Sequence, residues 1–475
     1  MSIKFGTDGW RAVISDTFTF ANLRLVAQAI ADFINEQGDP NPAAVVGYDT
    51  RFLSDRYAHE VACVMAGNGI SAWLARADTP TPAVSYAIVQ KKATAGVMIT
   101  ASHNPPRYNG VKLKASFGGS ATPQQHKRVE AILLQNQAEN KTPQLMDLEQ
   151  ALAQDRIRKF DPSWAYYEHL STLVDLDIIS AGELKVVADG MYGSGRGVIG
   201  EMLARGRSSV HNIRHEMNPG FGGIYPEPIA RHLGLLMSTI QSGYWQVGLA
   251  TDGDADRIGA VDARGEFVDP HRIFALVLRY LIEKRGWQGK VIRTVSTTRM
   301  IDRIAAAHGL PLIETPVGFN HIADLMLHED VLMGGEESGG MSIKGHIPEG
   351  DGVLLGLLIL EVMAYHQAPL HEIIADVLAK YGPAEYKRTD IKLKRPVEKK
   401  VMVKLLIDSA PAQIDGVAIE QVSTLDGVKY YLNDGSWLLI RPSGTEPVLR
   451  VYAEAPDSGR VRALLNFGEE VAQKA

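Results

Sequence analysis

Short apolar runs that stop abruptly at a polar, glycine- or proline-rich loop recur along this chain, with helical periodicity between them. Val97–Ile99 runs into Thr100-Ala-Ser-His-Asn-Pro-Pro106, and Val247–Thr251 runs into Asp252-Gly-Asp-Ala-Asp-Arg257. Val331–Met333 leads to Gly334-Gly-Glu-Glu-Ser-Gly-Gly340, and Leu438–Ile440 to Arg441-Pro-Ser-Gly-Thr-Glu-Pro447. Runs of this length read as buried strands. Asn22–Asn35 carries Leu23, Val26, Ile30, Phe33 and Ile34 at helical spacing. Ala43–Val46 then reads as a strand, and Ser54 is expected to cap a helix running to about Gly67. Strand and helix alternate again around Leu184–Ala188, Lys290–Thr294 and Leu310–Ile313. Such alternation is α/β architecture, whose ligands bind outside the carboxyl ends of the strands.

The 475 residues exceed one ordinary core and predict about three or four domains. Three similar α/β units, each offering one functional loop, fit the spacing of Ser102, Asp252 and Glu336. The polar segment Gln135–Pro143 reads as a connection between units, and Tyr381-Gly-Pro383 ends a helical region that starts near Pro369. Lys387–Lys394 alternates like a strand, so a smaller C-terminal α+β domain is expected to carry Arg441. The expected boundaries are 1–145, 146–258, 259–380 and 381–475.

With 45% hydrophobic and 22% charged residues, the composition is that of a soluble globular protein. A net charge of −6 leaves no general basic surface for nucleic acid. The single cysteine, Cys63, excludes an internal disulfide and lies in an apolar helical run, as a core residue would. No signal-peptide core follows Met1, and the most apolar stretch, Val353–Met363, is too short to span a bilayer and contains Glu361. The expectation is a cytoplasmic protein without membrane partners.

Each loop suits a particular chemistry. Ser102, at a strand end beside His103 and ten residues before Lys112, is a hydroxyl among basic groups that could act as nucleophile or phosphoryl carrier. Asp252, Asp254 and Asp256 can converge on a hard cation such as Mg²⁺. An EF-hand would need Gly at position six and Glu at position twelve, where Arg257 and Arg264 stand, so that reading fails. A solvated acidic turn is the plainer alternative. Glu336, Glu337 and Ser338 among four glycines suit a polyhydroxylated ligand, or else form a flexible turn. Arg441, Ser443, Gly444 and Thr445, with Arg450 beyond, would make a phosphate cradle or a salt-bridged surface hairpin. Tyr192-Gly-Ser-Gly-Arg-Gly197 departs from the dinucleotide fingerprint, which sets nucleotide binding aside. A phosphate cradle remote from the serine is what a sugar phosphomutase requires.

The chain resembles the α-D-phosphohexomutase family along essentially its full length. Phe5-Gly-Thr-Asp-Gly-Trp-Arg11, Thr100–Pro106, Asp252–Arg257, Gly335-Glu-Glu-Ser338 and Arg441–Glu446 stand in the family's order. The resemblance implies three related α/β domains with mixed sheets and a C-terminal domain around a central cleft. It implies a phosphorylated Ser102, and a Mg²⁺ site of Asp252, Asp254, Asp256 and a phosphoserine oxygen. Glu336 and Ser338 would read sugar hydroxyls, and Arg441, Ser443, Gly444, Thr445 and Arg450 the distal phosphate. Arg257, Lys112 and Arg11 would add positive potential to an intramolecular phosphotransfer through a hexose 1,6-bisphosphate, which also serves as activator. Hinging of the last domain would let that intermediate turn.

For the proton transfer, Lys112 is the first choice and His103 the second. Related enzymes often have lysine where Asn320 stands and some have histidine where Gly340 stands, while His321 and His346 are local candidates. Gly335-Glu-Glu-Ser338 resembles phosphoglucomutases, whereas phosphoglucosamine mutases commonly have Gln at the position of Glu337. The expected substrates are glucose 1-phosphate and glucose 6-phosphate. A phosphomannomutase or dual-specificity mutase, a hexose-1,6-bisphosphate synthase and a silent sugar-phosphate-binding regulator are the alternatives. The oligomeric state is not legible in the sequence.

Overall fold

The computed structural model describes residues 3–6, 9–393, 398–442 and 448–474, the last three without side chains. Among these residues the strands form four sheets, one after another along the chain.

The first sheet contains β1 (Trp10–Val13), β2 (Ala43–Tyr48), β3 (Ser71–Ala75), β4 (Ala95–Ile99), β5 (Tyr108–Ala115) and β6 (Ile157–Phe160), in the order β1-β5-β4-β2-β3-β6. The second contains β7 (Lys185–Asp189), β8 (Ser209–Ile213), β9 (Val247–Thr251), β10 (Ile258–Val261) and β11 (Phe267–Val268), ordered β11-β10-β9-β7-β8. The third contains β12 (Lys290–Thr294), β13 (Leu312–Thr315), β14 (Val331–Gly335) and β15 (Met341–Ile343), ordered β13-β12-β14-β15. In all three, parallel strands meet an antiparallel hairpin, β4–β5, β9–β10 or β14–β15, and in the first two sheets β1 and β11 extend it by a further antiparallel strand. The connection inside each hairpin is the polar loop singled out in the sequence. The fourth sheet is antiparallel throughout and is built from β16 (Glu385–Lys392), β17 (Gln413–Ile414), β18 (Val417–Ser423), β19 (Val428–Leu432), β20 (Trp437–Pro442) and β21 (Val448–Ala455). It is the expected α+β unit.

Two domain boundaries fall later than expected. β6 pairs with β3, so the first sheet continues past residue 145. β10 and β11 complete the second sheet beyond residue 258. Half of the polar Gln135–Pro143 segment is the end of the helix Pro123–Ala138, started by a capping box between Thr122 and Gln125. Ser54 is not a cap either. Leu53 takes the N-cap position with φ 63, and the Ser54 hydroxyl turns inward to Asp49 Oδ1 at 2.9 Å.

The second and third sheets share one core. Helix Gly352–His366, capped by Asp351 accepting from Leu354 N, is buried almost along its length, with Gly356 against Ile199, Leu249 and Ile258, in a core that also takes in Met333 and Met341. No single described helix is long and apolar enough to cross a membrane. Glu361 within this helix is fully buried and accepts from Arg285, from Tyr280 OH at 2.7 Å and from Asp175 N at 2.9 Å. A buried charge so paired is tolerated because its hydrogen bonds are complete. Cys63 is buried and unbridged.

Candidate active site

Ser102 follows β4 on a turn that Pro105 and Pro106 keep from becoming helical. The serine is fully buried and sits at φ 51, in the left-handed region that a residue with a side chain enters at a cost. What holds it there is Arg51, at the end of β2. Its Nη2 donates to Ser102 O at 2.6 Å and Asn104 O at 2.7 Å. Its Nη1 donates to Pro105 O at 2.9 Å and Tyr108 O at 3.0 Å, and its Nε to Asp49 Oδ2 at 3.1 Å. All five N–H donors of the guanidinium are thereby used, four of them on the serine loop. Asp49 accepts in addition from Thr100 Oγ1 at 2.6 Å, and Thr100 Oγ1 accepts from Ser102 N at 2.8 Å. Burial pushes the Asp49 carboxyl up to about 6, with Arg51 opposing. Arg11, on β1, reaches the same loop through Asn104 Oδ1 at 2.8 Å.

The loop after β9 meets this one directly. Ser102 Oγ donates to Asp252 Oδ2 at 2.9 Å. At Gly253 a Cβ would lie 2.4 Å from Ser102 O, so only glycine lets the two backbones approach. One carboxylate oxygen from each of Asp252, Asp254 and Asp256 lies within 4.8 Å of the others, with Asp252 and Asp254 buried. Burial, Asp256 and Asp254 push the Asp252 carboxyl well above its usual range. Cations offset part of that cost. Lys112 Nζ lies 2.9 Å from Asp254 Oδ2 and 2.7 Å from Asp256 Oδ2, and Arg257 Nε is 3.8 Å from Asp256 Oδ1. Thr81 Oγ1 donates to Asp254 Oδ2 at 2.6 Å. Asp256 Oδ1 is buried without a hydrogen bond. A crowded set of hard oxygen donors, one of them lacking a hydrogen bond, fits a divalent cation such as Mg²⁺. Behind the loop, Ser194 N donates to Gly253 O at 3.0 Å, so the glycine-rich Tyr192–Gly197 turn serves as its backing.

The third loop leans on the second: Ile258 N donates to Gly339 O at 3.3 Å. Glu336 accepts from Gly318 N through Oε1 at 2.9 Å and from Ser338 Oγ through Oε2 at 3.4 Å. Burial pushes its carboxyl up to about 7, against the pull of Arg257. Glu337 points to the fourth sheet, 3.6 Å from Arg388 Nη1. There Arg441 and Arg450 stand opposite each other on β20 and β21, and Arg441 Nε donates to Asp426 Oδ2 at 2.6 Å. Ser443, Gly444 and Thr445 lie outside the described residues, as do Thr7 and Asp8 of the first motif.

A hydroxyl beside a cation site, a polar group suited to sugar hydroxyls and a pair of arginines thus lie along one continuous series of contacts. Phosphoglucomutase/phosphomannomutase alpha/beta/alpha domains I, II and III match residues 2–140, 164–265 and 269–381, and the C-terminal domain of that family matches 392–467. A Methanosphaera stadtmanae protein named as a probable phosphoglucosamine mutase is 31% identical over 99% of this chain and 97% of its own length. The chain belongs to the phosphoglucomutase/phosphomannomutase family. A Thermococcus kodakarensis protein named phosphoglucomutase/phosphomannomutase is 29% identical over 100% of this chain and 99% of its own. A crystal structure from Thermus thermophilus, of a protein described as a phosphomannomutase, aligns with TM-score 0.87 and 34% identity, covering 100% of this chain and 99% of that one.

For this member of the family, the structure brings together Ser102, His103, Lys112, Asp252, Asp254, Asp256 and Arg257, with Glu336 and Ser338 on the adjoining loop. His103 Nδ1 is 3.3 Å from Ser102 Oγ, and burial followed by the charges of Arg257, Arg11, Lys112 and Arg51 holds its imidazole well below the usual value. His346 instead bonds His169 at 2.9 Å and faces Asp351, a buried structural cluster. Sequence reasoning passed over Asp49, Arg51, Thr81 and Asp426. For the first two a signal existed: Tyr48-Asp-Thr-Arg51 is another polar stop at the end of a buried strand.

Arg51→Lys keeps the charge but loses the fork, leaving carbonyls of the serine loop without donors. A displacement of the serine by about an ångström would lower kcat roughly 100-fold. Steady-state kinetics, alongside a melting curve showing that the variant is folded, would reveal the loss.

Proposed function

We propose that this phosphohexomutase interconverts glucose 1-phosphate and glucose 6-phosphate, with Ser102 as the phosphoryl carrier. The observation that carries the reading is the strained, buried Ser102 held 2.9 Å from Asp252, at the edge of three converging carboxylates. In the first half-reaction the free hydroxyl of a hexose phosphate attacks the phosphorus of phosphoserine 102. The new O–P bond forms as the Ser102 Oγ–P bond breaks, and the product is hexose 1,6-bisphosphate. After that intermediate turns, Ser102 Oγ attacks its other phosphoryl group and releases the isomeric monophosphate.

Mg²⁺ would be held by Asp252, Asp254, Asp256 and a phosphoserine oxygen, and when bound it neutralises charge on the transferring group. Arg257, Lys112 and Arg11 add positive potential around the same group. The attacking hydroxyl must lose its proton. Lys112, engaged by Asp254 and Asp256, supplies charge, and we assign His103, whose Nδ1 lies 3.3 Å from Ser102 Oγ, to pass that proton on to the departing serine oxygen. Glu336 and Ser338 would accept and donate hydrogen bonds to sugar hydroxyls. Arg441 and Arg450 would grip the phosphate that is not being transferred, together with Ser443, Gly444 and Thr445.

The Gly335-Glu-Glu-Ser338 loop supports glucose phosphates. Mannose and glucosamine phosphates form the second reading, favoured by the names of the relatives. A coupled assay with Mg²⁺, following glucose 6-phosphate made from glucose 1-phosphate, tests the choice. Turnover that needs only trace glucose 1,6-bisphosphate, and that disappears in Ser102→Ala, is the expected result. Consumption of bisphosphate in step with product would instead identify a bisphosphate synthase. Turnover confined to mannose or glucosamine phosphates would overturn the glucose assignment.

Glu336 gives a pH expectation. Its carboxylate must be ionised to accept from sugar hydroxyls, and its pKa is raised to about 7. Acidification through that value protonates it, so KM should climb as pH falls through about 7. Glu336→Gln should have a high KM at every pH and lose that titration. A wild-type KM profile that Glu336→Gln leaves unchanged in shape would contradict the assignment.

A further inference from the structure

Asp426 occupies the turn Thr424-Leu-Asp-Gly427 between β18 and β19, and its side chain is 6% exposed. A Cβ at Gly427, whose φ is 92, would lie 2.5 Å from Ile440 O and 2.9 Å from Arg441 Cα. The turn is therefore pinned against the strand that carries Arg441. Three donors converge on the Asp426 carboxylate: Arg441 Nε at 2.6 Å and Val317 N at 3.3 Å on Oδ2, and Lys399 Nζ at 2.6 Å on Oδ1. Val317 comes from the third domain. The next residue, Gly318, donates its N–H to Glu336 Oε1 at 2.9 Å.

A single carboxylate thus joins the arginine of the fourth domain to the turn that orients Glu336. We propose that Asp426 is a positioning residue that couples phosphate binding at Arg441 to hydroxyl reading at Glu336. It occupies the Nε side of the Arg441 fork and commits the other edge to an anion. It also fixes the Val317–Gly318 turn, so that gripping the phosphate and orienting the Glu336 carboxylate become one event. Its negative charge, matched by Lys399 and Arg441 together, leaves the neighbourhood cationic for a phosphate. Asp426 touches no reacting atom and acts only through the groups that it holds.

This inference rests on the reading of Arg441 as a phosphate ligand, and double-mutant cycles separate the two. Kinetics of the full-length enzyme with glucose 1-phosphate, Mg²⁺ and trace bisphosphate would be measured for Asp426→Asn, Arg441→Ala, Glu336→Gln and the two doubles containing Asp426→Asn. Loss of a charge-assisted hydrogen bond should raise KM for Asp426→Asn about tenfold, with kcat within about twofold of wild type. In the Arg441→Ala and Glu336→Gln backgrounds, Asp426→Asn should add little. Full additivity in either cycle would overturn the coupling. An unchanged KM in Arg441→Ala would instead overturn the phosphate assignment. If Asp426→Asn lowers the melting temperature, Asp426→Glu serves as a second variant. It keeps the charge but shifts it by one methylene, and should recover most of the stability while KM stays raised. Full recovery of KM together with stability would reduce Asp426 to a structural role.

Discussion

Three carboxylates on one short loop, crowded within 4.8 Å and largely buried, set the terms for everything around them. Such a group cannot be fully ionised in a buried place without cations. The protein supplies Lys112 and Arg257 at its edge and leaves Asp256 Oδ1 without a hydrogen bond. The remaining negative charge fits a divalent cation such as Mg²⁺. Ser102 donates to Asp252 from a strained backbone at the edge of this group.

Repetition of one device brings the loops together. In each of three sheets a parallel array ends in an antiparallel hairpin, and the hairpin connection carries the chemistry. The loops then fit against one another at positions where a side chain would not pass, as at Gly253 against Ser102 O. The fourth sheet joins through an apolar cluster of Val295 and Val317 with Tyr431, Trp437, Leu439 and Tyr452, and through polar contacts of Asp426 with Val317 N and Arg388 with Glu337.

The strand-to-loop transitions were legible because each combines a short apolar run with residue types that carry a recognisable charge or hydroxyl pattern. Three similar α/β units followed from them, and a smaller α+β last domain from the alternation at Lys387–Lys394. Arg51 escaped because its work is done on carbonyl groups more than fifty residues away, and Asp49 because it accepts from Arg51 and from the distant Thr100 hydroxyl, which no local spacing encodes. Asp426 sits in an Asp-Gly turn that looks like any hairpin connection until Arg441 and Val317 are folded onto it. Ser54 carried the right residue type for a cap, but the buried Asp49 competed successfully for its hydroxyl. The polar Gln135–Pro143 segment reads as a linker but includes a helix end, and β6 beyond it returns to the first sheet. Glucose, mannose and glucosamine phosphates differ only at C2, so of the four loops only Gly335-Glu-Glu-Ser338 bears on the choice among them.

The central claim is that Ser102 carries the phosphoryl group between substrates. Mass spectrometry of the full-length protein after incubation with glucose 1,6-bisphosphate and Mg²⁺ tests it most directly. The account predicts a gain of one phosphoryl group, located on the peptide containing Ser102 and discharged when glucose 6-phosphate is added. A protein that takes up no phosphoryl group, carries it elsewhere, or fails to pass it to the sugar would contradict the account.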